Sequence, residues 1–212
     1  MKKLTFSLCT LAFLAISAAA HAATLSGCGS CLGSTYTITD SSTGTANQYD
    51  VFLTVNTTGY SGSSTDLLNA VSLKLVPQTS DISSVTLLSG PTGFSSTVNG
   101  GISSGGCDMS GGGFFCSQDS SGGLAVGGSG DIYNFEWVLT LNSGSNLLLS
   151  GDSLKASYIT ASGKNAGLTS EDFNLSGTPA PTPEPSSLAL FGTGILGAAS
   201  IFRRRKQLGS QA

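Results

Sequence analysis

Asp50 and Glu136 are the residues of this 212-residue sequence best placed for chemistry. Each falls on the polar face of an alternating stretch, Asp50 in QYDVFLTVN and Glu136 in DIYNFEWVLTL. A carboxylate pair is the machinery of glycoside cleavage. Few other chemistries are open. The single histidine, His21, falls in an N-terminal leader, so Ser-His-Asp and Cys-His arrangements and histidine-based metal sites are absent from the rest. Residues 24–182 contain no arginine, which removes the bidentate clamp for phosphate or carboxylate. Catalysis is usually carried by loops rather than mid-strand surfaces. The expectation is therefore that Asp50 and Glu136 are solvated strand charges and that the protein is not an enzyme, with a polysaccharide-processing enzyme as the alternative. Glu171-Asp172 reads as a turn.

The oxygen ligands and sulfurs point elsewhere. Asp108, Asp119 and Asp131 lie in or beside GISSGGCDMSGGGFFCSQDSSGGLAVGGSG (101–130), where backbone carbonyls are plentiful. Calcium wants oxygen, so these three are the candidates for a structural ion, although no cofactor is the primary expectation. Cys28, Cys31, Cys107 and Cys116 remain once Cys9 leaves with the leader. An even count in an exported chain implies two disulfides with three connectivities, of which the local one closes the smallest loops and is preferred. A four-thiolate zinc site is the disfavoured alternative. Among aromatics, Trp137 shares its face with Tyr133, Phe135, Leu139 and Leu141 and reads as core. Tyr36, Tyr60 and Tyr158 are freer candidates for stacking on a glycan. Thr35, Thr37 and Thr39 line one strand face, the single short row on which an ice-binding module would rest.

The ends carry addresses. Lys2 and Lys3, the apolar run 4–19 and Ala20 and Ala22 at A-x-A spacing form a signal peptide, 1–22. Residues 23–178 are the exported domain. Residues 24–182 hold three lysines against eleven acids, a formal charge of −8. That balance disfavours nucleic acid and anionic lipid. Prolines alternate through 179–185, an extended linker. Residues 186–202 carry no charge, and as a helix would reach about 26 Å, the short end of a membrane span. Arg203, Arg204, Arg205 and Lys206 open a basic tail, 203–212, that stays cytoplasmic by the positive-inside rule.

Pro183-Glu184-Pro185, a short apolar helix and an arginine cluster, in that order over about the last 30 residues, resemble the PEP-CTERM sorting signal of Gram-negative bacteria. The resemblance implies handling by exosortase near the Pro-Glu-Pro site, after export through signal peptidase and the secretion machinery. It also implies an inner-membrane anchor before processing, then a place on the cell surface or in the extracellular matrix alongside exopolysaccharide. The same tail is catalogued for certain ice-binding proteins.

The elements that must position these residues are strands. Period-2 alternation runs through 48–56, 69–76 and 131–141, and more weakly through 34–39, 84–88, 153–160 and 168–175, with Gly, Ser, Asn and Asp between. No stretch holds a helical period. Faces of this kind bury against one another as two antiparallel sheets, so the expected fold is an all-β, jelly-roll-like sandwich of eight strands. The Gly/Ser-rich segment 101–130 is expected as a loop stapled onto it by its cysteines.

Overall fold

The computed structural model describes residues 20–97, 100–103, 106–108, 111–147 and 151–173. Their regular structure is antiparallel β throughout, apart from one 3-10 turn at Thr79–Asp81. The first sheet is ordered β1 (Ala20–Leu25), β2 (Thr35–Ser42), β3 (Gln48–Asn56), β11 (Ile132–Leu141) and β5 (Ile82–Ser89). The second runs β13 (Asn165–Phe173), β12 (Asp152–Ile159), β4 (Leu67–Lys74), β9 (Phe114–Asp119) and β6 (Phe94–Thr97), and β10 (Leu124–Ala125) takes the other end of β4. A short hairpin, β7 (Ile102–Ser103) with β8 (Gly106–Cys107), stands apart.

Alternation dictates how the sheets meet. On β11 the odd positions Phe135, Trp137, Leu139 and Leu141 are buried while their even neighbours are not. Trp137 stacks on Phe135 at 5.4 Å within the strand and meets Phe115 of the second sheet edge-on at 5.5 Å. Its buried indole N–H needs an acceptor and donates to Ser117 Oγ at 2.8 Å and Ser96 Oγ at 2.9 Å. One apolar cluster, including Val51, Leu53, Leu73, Leu154 and Tyr158, fills the space between the sheets.

The all-β expectation is met, but the path is not that of a jelly roll. That fold passes successive strands between its sheets, whereas β1, β2 and β3 are neighbours in one sheet, and so are β12 and β13. The links 43–47 and 160–164 instead close hairpins between strands that pair directly, β2 with β3 and β12 with β13.

The glycine-rich segment is the second departure. Instead of a loop laid on the sandwich, it supplies β9, an interior strand paired to β4 on one side and β6 on the other. Gly113 explains why glycine precedes it. The residue has φ of +80°, and a Cβ there would run into the Val76 carbonyl oxygen. The β7–β8 hairpin covers the outer face of β4, where Ile102 packs with Ala70 and Cys116. Ser72, which alternates with the apolar Val71 and Leu73, is consequently buried too and donates to the Gly100 carbonyl at 2.6 Å.

Candidate functional site

The outer face of the five-stranded sheet is the surface on which the candidate residues converge. Inward positions of β2 are Tyr36, Ile38 and Asp40, so Thr35, Thr37 and Thr39 point outward. Strand register then sets them in ranks. Thr24, Thr37, Thr54 and Asn134 lie side by side across β1, β2, β3 and β11. Thr54 Oγ1 donates to Asn134 Oδ1 at 2.8 Å, and the Thr24 and Thr37 hydroxyls are 3.5 Å apart. The next rank is Thr39, Phe52 and Glu136, and the one after it Ser41, Asp50 and Val138. Phe52 is 39 % exposed in the middle of the sheet. Ile132, near the rim of the same face, is 48 % exposed.

Asp50 and Glu136 are therefore neighbours. Asp50 stands opposite Val138 and Glu136 opposite Phe52, so the two carboxylates occupy diagonal corners of one register square. Such a diagonal spans about 7–8 Å. Among the described residues, these are the only charges that β2, β3 and β11 place on this face. Lys74 and Lys155 belong to the second sheet, and Lys164 to the turn between β12 and β13.

The freer tyrosines are not free. Tyr36 and Tyr158 are fully buried, and Tyr60 is nearly so. Their hydroxyls build a polar knot inside the sandwich. The Tyr36 and Tyr158 oxygens are 2.6 Å apart, Thr169 Oγ1 is 3.0 Å from Tyr36, and Tyr158 donates to Ser34 Oγ at 3.0 Å. Burial pushes both phenols well above the usual tyrosine range. Tyr60 donates to Asp66 Oδ2 at 3.1 Å, and desolvation followed by that carboxylate raises it too. The sequence does hold a signal for the burial of Tyr36, because Tyr36 and Ile38 alternate with the three threonines.

Glu171 is in strand β13, not a turn. Its Oε1 accepts from the Ser30 amide at 3.1 Å and the Ser30 hydroxyl at 2.7 Å, tying down the loop closed by Cys28 and Cys31. That disulfide and Cys107–Cys116 are the local pairings, with Cα separations of 5.2 and 5.9 Å. Asp119 accepts from the Ser121 amide and hydroxyl and from the Gly123 amide. Burial pushes its carboxyl up, but those three donors outweigh the effect and hold it below the usual range. Asp131 accepts from the Gly128 amide. Among the described residues no three Asp, Glu, His or Cys side chains cluster for a metal.

The leader up to residue 19, the linker, the apolar run 186–202 and the tail 203–212 lie outside the described residues. Ala20 and Ala22 lie inside them, in β1. No helix among the described residues is long and apolar enough to cross a membrane.

These features define an acidic, disulfide-bonded, all-β domain with one hydroxyl-rich sheet face. Its destination is written at its C-terminus, where residues 181–206 match the PEP-CTERM protein-sorting motif. The chain carries this signal, which marks an exported protein processed by exosortase. No curated protein matches the sequence.

Proposed function

We propose that this is a non-enzymatic surface or matrix protein whose domain associates with exopolysaccharide through the outer face of the five-stranded sheet. The observation that carries the reading is Phe52, an exposed aromatic at the centre of a sheet face bordered by hydroxyls and an amide. An aromatic face stacks on the C–H surface of a sugar ring, and neighbouring threonine, asparagine and carboxylate oxygens exchange hydrogen bonds with its hydroxyls. The domain's net acidity favours neutral over uronic-acid polymers. Export under a PEP-CTERM signal supports the setting, in which the route runs through the Gram-negative inner membrane to the surface.

Co-sedimentation with exopolysaccharide, with and without calcium, tests the reading. Saturable binding is expected, and Phe52→Ala should weaken it roughly tenfold, the scale of one stacked ring. Binding that is absent, or indifferent to Phe52, removes the site. Two rival readings of the same face have observations of their own. The diagonal of Asp50 and Glu136 suits an inverting glycoside hydrolase, which requires glycan cleavage that both amide substitutions abolish. The rank Thr24–Thr37–Thr54, with Thr35 and Thr39 beside it, suits ice. Unchanged ice recrystallisation at high protein concentration would end that reading.

A further inference from the structure

The leader expected to be removed after Ala22 ends inside β1. Ala20, His21 and Ala22 pair with Ser41, Asp40 and Thr39, and Ala23, Thr24 and Leu25 carry the ladder on to Ile38, Thr37 and Tyr36. Asp40 is 2 % exposed. Its Oδ2 lies 3.2 Å from His21 Nδ1, and its Oδ1 has no hydrogen-bond partner. Burial pushes the carboxyl above the usual range, against the pull of His21. Cleavage after Ala22 takes His21 away. The same cut turns the α-nitrogen of Ala23 from a neutral amide into an amine that is largely protonated at neutral pH.

Strand register places the new charge. His21, Ala23 and Leu25 stand opposite Asp40, Ile38 and Tyr36, and Ala23 and Leu25 pack against the core. Asp40 is thus the diagonal neighbour of Ala23, about 7–8 Å away between backbones. The α-nitrogen lies on the His21 side of Ala23, toward Asp40, and the Asp40 side chain spans part of the remaining gap. We propose that signal-peptide cleavage after Ala22 exchanges His21 for the chain's own N-terminal ammonium as the partner of Asp40, so that this buried charge gains its lasting partner only on export. The proposal rests on the expected cleavage position and does not depend on the polymer-binding reading. A buried carboxylate left without a counter-charge is strongly destabilising. An ammonium supplies three donors, enough for Oδ1 as well as Oδ2. The ionisable side chains at inward positions of β2, β3, β12 and β13 are Tyr36, Tyr49, Tyr158, Asp152 and Glu171, none of them a cation. Glu171 is already engaged by Ser30. Asp50, Lys155 and Asp172 belong to the outer faces of their sheets.

The test uses protein exported from the full-length reading frame. Intact mass should place its first residue at Ala23, and any other start overturns the proposal. The α-amine of Ala23 is then titrated by NMR, folded and in urea. Its folded pKa should stand about one pH unit above the unfolded value, a tenfold preference for the ammonium. The difference should survive about 0.5 M salt, which screens diffuse surface charge. Asp40→Asn should abolish it, and Asp172→Asn, on the outer face of the other sheet, should leave it. A raised folded value means stability that is present below the unfolded value, about pH 8, and lost as pH rises through the folded one. The Tm of the wild type should therefore fall toward that of Asp40→Asn over this range. Equal folded and unfolded values, a difference that salt removes, or one that persists in Asp40→Asn overturns the proposal. The comparison of folded with unfolded protein is read on the wild type, so it decides the matter even where the Asp40 variant does not fold.

Discussion

Trp137 is the residue on which most of the core depends. It touches both sheets, stacks on Phe135, meets Phe115 and satisfies its N–H on two serines. Trp137→Ala should cost about 3–5 kcal/mol in denaturant unfolding. Trp137→Phe keeps the stack but leaves Ser96 and Ser117 only each other at 2.6 Å, so a smaller loss of about 1–2 kcal/mol is expected. Asp119 carries a pH signature. Its folded carboxyl titrates below its unfolded value, so its contribution is fully present above the unfolded value, near pH 4, and is lost as pH falls through the folded one. Asp119→Ala should lower Tm at neutral pH by the equivalent of about 1–2 kcal/mol. The gap between variant and wild type should close as the solution is acidified below pH 4. A gap that persists would mean that packing, not the three hydrogen bonds its carboxylate accepts, is what Asp119 supplies.

Among the elements, β9 is the hardest to read from sequence. Its stretch FFCSQD is buried on both faces, because the sandwich core covers one side and the β7–β8 hairpin the other. Two buried faces erase the period-2 signal, and the flanking glycines then imitate a linker. β11, with one face inside and one outside, is legible residue by residue. The glycine before β9 is structural, so Gly113→Ala should destabilise by more than about 1 kcal/mol, the cost of positive φ alone. The disulfides also rank by element. Removing Cys107–Cys116 as a double serine variant opens the loop 107–116 and should cost about 2–3 kcal/mol, against about 2 kcal/mol for the shorter loop of Cys28–Cys31. The hairpin over β4 should then become the first region to lose amide-exchange protection. Global loss at the same rate would show that the hairpin is integral to the core.

At the scale of the whole molecule, an address and a surface divide the work. The PEP-CTERM motif marks the chain as exported and sorted by exosortase, and the outer face of the five-stranded sheet is the surface proposed to meet polymer. If polymer binding rests there, Phe52→Ala and Thr54→Val should weaken it while leaving Tm within about 1 °C, since exposed positions contribute little to stability. The local signals in the sequence were enough for most of the long strands, for a preference for the local disulfides and for the sorting motif, because turn residues, period-2 alternation, cysteine spacing and sorting motifs act over a few neighbouring residues. They were also enough to turn Trp137 inward. What only the tertiary structure decided is which faces meet and which residues stand side by side. The burial of Tyr36 and Tyr158 against each other, the rank from Thr24 to Asn134, the diagonal of Asp50 and Glu136 and the hold of His21 on Asp40 join residues 13 to 122 positions apart. No local preference encodes such pairings. They follow from the one arrangement of strands that buries every apolar face at once.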